Sequence, residues 1–142
     1  MKKSVETIES IEEYLKLSNS DKKEDYDRTI REELSEELVS VIIKNYPNKH
    51  SLLVHNKFVP IEALRILAMS NNVDVRFTVA MKKKCDRSIF GILMKDEDFS
   101  VRMAVVRNNK LPIDLLEILT FDKEYEISEE AKLILKRRML DE

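Results

Sequence analysis

An all-α fold, built as a short α-solenoid of two-helix repeats with capping helices at both ends, is predicted by three observations. The chain of 142 residues contains one glycine, three prolines and no tryptophan, which removes glycine loops, dinucleotide fingerprints and hairpin-rich β architectures. Residues 50 to 75, 76 to 101 and 102 to 127 align without a gap, giving a period of 26. Within each copy the apolar groups recur at i, i+3 and i+4, the spacing of one helix face. At this length a single domain is expected, burying roughly two thirds of the surface its unfolded chain exposes. Its expected parts are N-terminal capping helices over residues 1 to 46, three repeats over 47 to 127 and a C-terminal capping helix over 128 to 142.

Val5, Ile8, Ile11 and Leu15 mark a first amphipathic helix with a glutamate-rich outer face. Asp21 and Glu24 have the spacing of a capping box, so a second helix is expected to start there and run through Ile30, Leu34 and Leu38 to Tyr46, before Pro47. Leu38-Val39-x-Val41-Ile42 matches Ala63-Leu64-x-Ile66-Leu67 at a spacing of 25, which marks a degenerate unit ahead of the three repeats.

Nine columns are apolar in all three copies and are expected to form the core; in the middle copy they are Val79, Ala80, Cys85, Ile89, Phe90, Ile92, Leu93, Phe99 and Val101. Each copy joins two helices. One, typified by Val101-Arg102-Met103-Ala104-Val105-Val106-Arg107, is apolar around most of its circumference and is expected to be short and largely buried. The other, typified by Pro112-Ile113-Asp114-Leu115-Leu116-Glu117-Ile118-Leu119, is amphipathic. Pro60 and Pro112 sit where a helix begins, since the first helical N–H has no intrahelical partner to lose. Ser128 is expected to cap a last helix through Ala131, Ile134 and Leu135, closed by Lys136-Arg137-Arg138 against its negative C-terminal dipole.

The segments VDVRFTVAM and FSVRMAVVRNNKLPIDLLEIL open one helix with Val-Arg, turn at Asn and Pro, and continue into Leu-Leu-x-Ile-Leu. Over roughly residues 38 to 135 the chain resembles HEAT-like repeat proteins, and it is especially similar to their bacterial form, the leucine-rich repeat variant. The resemblance implies a right-handed solenoid that serves chiefly as a protein-binding scaffold. It also implies that Asp74, Arg76, Asp98 and Arg102 form a structural ladder between units, with a ligand site as the alternative.

Lys and Arg total 25 against 27 Asp and Glu, yet residues 1 to 40 carry −5, residues 41 to 120 carry +5 and the remainder −2. The turns after the buried helices concentrate the basic groups: His55, Asn56 and Lys57; Lys82, Lys83 and Lys84; Arg107, Asn108, Asn109 and Lys110. Stacked units would align these turns as one ridge, opposite the more acidic turns at Ser70-Asn71-Asn72, Asp96-Glu97-Asp98 and Asp122-Lys123-Glu124. Such a ridge is a solvated rim, a steering surface for an acidic protein or a phosphate-binding edge. Another protein is the expected partner, with nucleic acid the alternative, which an acidic pI near 5.8 and few interleaved aromatics disfavour.

Catalysis is not expected. His50 and His55 stand five residues apart, about 140° around a helix, unlike zinc ligands at i and i+4. The glutamate pairs sit on predicted outer faces, and no Ser-His-Asp set can be assembled from these residues. Cys85 occupies an apolar column and reads as packing. No cofactor, metal or membrane contact is expected, and one cysteine without a signal-peptide pattern fits the cytoplasm. Gly91 falls at an outward helical position, where it costs up to about 1 kcal/mol relative to Ala.

Overall fold

The computed structural model describes residues 7 to 141, which are all-helical apart from one two-residue strand pair. The chain forms two compact units, Met1–Leu64 and Arg65–Glu142. Val5, assigned above to the first helix, lies outside the described residues.

In the first unit, β1 (Thr7–Ile8) pairs in parallel with β2 (Glu33–Leu34), with Ile8 opposite Leu34. Ile8 is therefore extended, not helical, and α1 (Ile11–Ser18) begins only after Ser10, whose hydroxyl accepts from the Glu13 amide. The expected helix from Asp21 to Tyr46 is two helices, α2 (Lys23–Arg31) and α3 (Glu36–Asn45), separated by β2. The break has local causes. Glu32 is extended, its carboxylate is held by Arg28 at 2.6 Å, and Ser35 starts a new helix by accepting from the Leu38 amide. The Asp21–Glu24 capping box does not form. Ser20 takes that place, its oxygen accepting from the Lys22 amide and its hydroxyl donating to Asp25. A 3₁₀ turn at Pro47–Lys49 runs directly into α4 (His50–Leu53). Ile8, Tyr14, Leu38, Ile42, Leu53 and Leu64 are fully or almost fully buried in this unit.

Helix α5 (Ile61–Leu67) spans the boundary between the units. The second unit holds α6 (Val73–Ala80), α7 (Arg87–Leu93), α8 (Phe99–Arg107), α9 (Ile113–Leu119) and α10 (Tyr125–Leu140). Helix α8 lies between α6 and α10, α7 packs against α6 and α8, and α9 packs against α10. Pro112 holds the N-cap position, one residue before the helix it introduces. Ser128 is inside α10 and does not cap it. That helix begins at Tyr125, and the Ser128 hydroxyl instead donates to the Thr120 carbonyl at 2.6 Å, tying α10 to the end of α9.

Seven of the nine apolar columns are buried in every copy: those of Val79, Ala80, Cys85, Ile89, Phe90, Leu93 and Val101. The other two are not core. Ile66, Ile92 and Ile118 are 54%, 37% and 57% exposed, and Phe99 and Tyr125 are also open to solvent. Cys85 packs as expected, its thiol donating to the Val79 carbonyl and pushed up to about 11 by burial.

Candidate functional site

The two arginines that recur in register, Arg76 and Arg102, face inward. Arg76 donates through Nε and Nη2 to the carboxylate of Asp96 at 2.8 and 3.3 Å, and through Nη1 to the Ser70 carbonyl. Arg102 repeats the arrangement one period later, with the Asp122 carboxylate at 2.9 and 3.3 Å and the Asp96 carbonyl at 2.7 Å. The carboxylate partners are thus Asp96 and Asp122. Asp74 and Asp98, the partners expected from sequence, stand at helix starts instead. Asp74 is in the first turn of α6, and Asp98 caps α8 by accepting from the Ser100 and Val101 amides. His50, in the same column as the arginines, places its Nε2 near the Ile42 and Ile43 carbonyls at the end of α3. Planar, two-point guanidinium–carboxylate pairing explains why arginine occupies the column twice.

The turns of the expected ridge split into inward and outward residues. Asn56 is fully buried. Its amide nitrogen donates to the Thr29 and Glu32 carbonyls at 2.8 and 2.9 Å, and its oxygen accepts from the Phe58 amide. Asn108 does the same two periods later, donating to Ala80 and Lys82 and accepting from Lys110. In both cases the asparagine satisfies carbonyls at the end of an earlier helix, α2 or α6, which have no intrahelical donor. Asn56 and Asn108 therefore commit their side-chain amides to the fold. Lys82, at the equivalent position of the middle copy, is half-buried and its pKa is lowered, chiefly by that burial. His55, Lys57, Lys83, Lys84, Arg107, Asn109 and Lys110 are exposed. In the first unit, Lys57 lies 5.6 Å from the centre of the Phe58 ring. In the second, Arg107 reaches Glu130 at 3.6 Å.

Lys83, Arg107 and Asn109 meet at an open groove of about 520 Å³ on the surface of α6 and α8. Its floor is apolar: Phe77 and Met81 from α6 and the residue after it, Phe99, Met103 and Ala104 from α8. Ser100 and Asn108 complete the lining, and no carboxylate lines it. The geometry follows from the period. Phe77 and Met103 are equivalent positions, as are Met81 and Arg107, so two adjacent helices present the same faces side by side. Sequence reasoning assigned Phe99 to the core and passed over Phe77, Met81 and Met103. The usable signal was that α8 is apolar around most of its circumference, whereas one side suffices for the core.

Chemically, the groove offers apolar surface, two cations and an amide, which suits binding. Among the described residues, no cluster of three or more His, Cys, Asp or Glu side chains is arranged to hold a metal ion. No helix among them is long and apolar enough to cross a membrane. No family model, characterised protein or solved structure matches the chain.

Proposed function

We propose that this chain is a non-catalytic protein-binding module. In this reading it is a short right-handed α-solenoid of HEAT-like two-helix repeats, similar to the bacterial leucine-rich repeat variant, acting in the cytoplasm as an adaptor, inhibitor or immunity-type protein. The observation that carries the reading is the α6–α8 groove, whose apolar floor is open to solvent and bordered by Lys83 and Arg107. Solvent-exposed apolar grooves with polar rims are characteristic of surfaces that bind other proteins. The ladder residues recurring 26 apart, Arg76 with Asp96 and Arg102 with Asp122, support the repeat architecture. In this reading the buried Asn56 drops out of the binding ridge, and Lys83, Arg107 and Asn109 of the second unit stay in it as groove-lining residues.

The test is affinity capture from lysate at moderate salt with the wild-type chain and Met81→Asp, a change at a side chain 60% exposed and so tolerated by the fold. A stoichiometric protein retained by the wild type and lost by the variant is the expected result. Retention indifferent to the substitution removes the groove from consideration. Nuclease-sensitive nucleic acid retained in place of protein reverses the reading, Phe77 and Phe99 then serving as stacking surfaces beside the cations.

A further inference from the structure

We propose that the occupant of the α6–α8 groove is a short acidic segment of a partner protein. One large apolar side chain of that segment seats among Phe77, Met81, Phe99 and Met103, and flanking carboxylates meet Lys83 and Arg107. This rests on the protein-binding reading above and names its ligand.

The charge of the lining selects the sign. Lys83 and Arg107 are the only ionised groups lining the groove, and both are exposed. A basic segment would meet like charge, and an uncharged one would leave both cations without gain. Arg107 is already near a carboxylate, that of Glu130, but at 3.6 Å and with the arginine side chain 61% exposed. So open an ion pair contributes little and exchanges readily for a carboxylate of the partner. The apolar floor selects the anchor. Two of its four large side chains are methionines, unbranched and able to re-pack around differently shaped apolar groups. The groove volume, about 520 Å³, falls within the range of sites that enclose ligands of several side chains' size. Asn109, exposed at the rim, is free of the clamp that Asn108 forms and adds an amide for main-chain groups of the segment.

Selection from a random-peptide display library against the whole chain tests this directly, run in parallel on the wild type and on Lys83→Glu/Arg107→Glu. Both positions are exposed, and a thermal melt of the double variant is run alongside to check that it is folded. Peptides enriched on the wild type are expected to carry a large apolar residue flanked by Asp or Glu, and a synthetic copy to bind the double variant about tenfold more weakly or worse. The consensus selected by the double variant is expected to turn basic. Enriched peptides that lack carboxylates but lose binding to Met81→Asp overturn the acidic ligand while leaving a protein-binding groove. Peptides indifferent to Met81→Asp, or no groove-dependent peptide at all, overturn both. An oligonucleotide that displaces the selected peptide, with affinity falling steeply as salt rises, transfers the groove to nucleic acid.

Discussion

Arg102 donates to the main-chain carbonyl of Asp96 at 2.7 Å, while the carboxylate of that same aspartate holds Arg76. Asp96 therefore joins two consecutive arginines, through its backbone on one side and its side chain on the other, and Asp122 continues the series. Arg102 is 4% exposed, so removing its counter-charge strands a buried guanidinium. Asp122→Ala is expected to cost about 3–5 kcal/mol in urea unfolding. Asp74→Ala, at an exposed carboxylate in the first turn of α6, should cost less than about 1 kcal/mol. Equal effects would contradict the assignment of ladder partners.

Asn108 was a candidate binding residue that the fold turned inward. Asn108→Ala leaves the Ala80 and Lys82 carbonyls without the amide that reaches them. The expected loss is about 1–3 kcal/mol of stability, chiefly from the buried Ala80 carbonyl left without that donor. Asn109→Ala, one residue on and exposed, should leave the melting temperature nearly unchanged.

Gly91 lies within α7, and a Cβ built there meets nothing within 4 Å. Its φ is not positive, so no backbone conformation requires glycine. Gly91→Ala is expected to stabilise the chain by up to about 1 kcal/mol, read as a rise in melting temperature.

Tyr14 is fully buried on α1 and its hydroxyl has no hydrogen-bond partner. Burial also raises its pKa, with Tyr26 adding to the effect, so the group stays neutral at physiological pH. Tyr14→Phe preserves the ring packing and removes the unsatisfied hydroxyl. A gain of about 1 kcal/mol in chemical denaturation is expected, and a loss would show that the hydroxyl has a partner in solution.

Three carboxyls are held below the ordinary range: Asp98 chiefly by the Ser100 hydroxyl, Asp114 by Arg87 and Asp86 by the Ser88 hydroxyl. Each binds a proton more tightly unfolded than folded, so its stabilisation is complete above the unfolded carboxyl pKa near 3.8 and disappears as pH falls through the folded value. Melting temperature should therefore hold from pH 7 to about 5 and decline below about 4. Asp114→Asn should flatten that acid limb.

Helix class, the 26-residue unit and the seven buried columns were legible in the sequence, because each depends on spacing along one chain segment. A side chain returning every three or four residues lands on one helix face whatever its neighbours are. Tertiary structure decided the rest. Periodicity does not say how wide a stripe of a helix the core covers, so Phe99 on α8 and Ile66, Ile92 and Ile118 at the edge of the apolar faces of α5, α7 and α9 emerged on the surface. Likewise, an asparagine in a turn reads as polar and exposed until the unpaired carbonyls of an earlier helix, such as Thr29 for Asn56, are brought beside it. The arginines were recognisable as a pair, but their partners lie 20 residues downstream, beyond the reach of local pattern. The break at Glu33–Leu34 adds a long-range element to its local causes: Leu34 pairs with Ile8, a contact across 26 residues that the helical spacing of Ile30, Leu34 and Leu38 does not reveal.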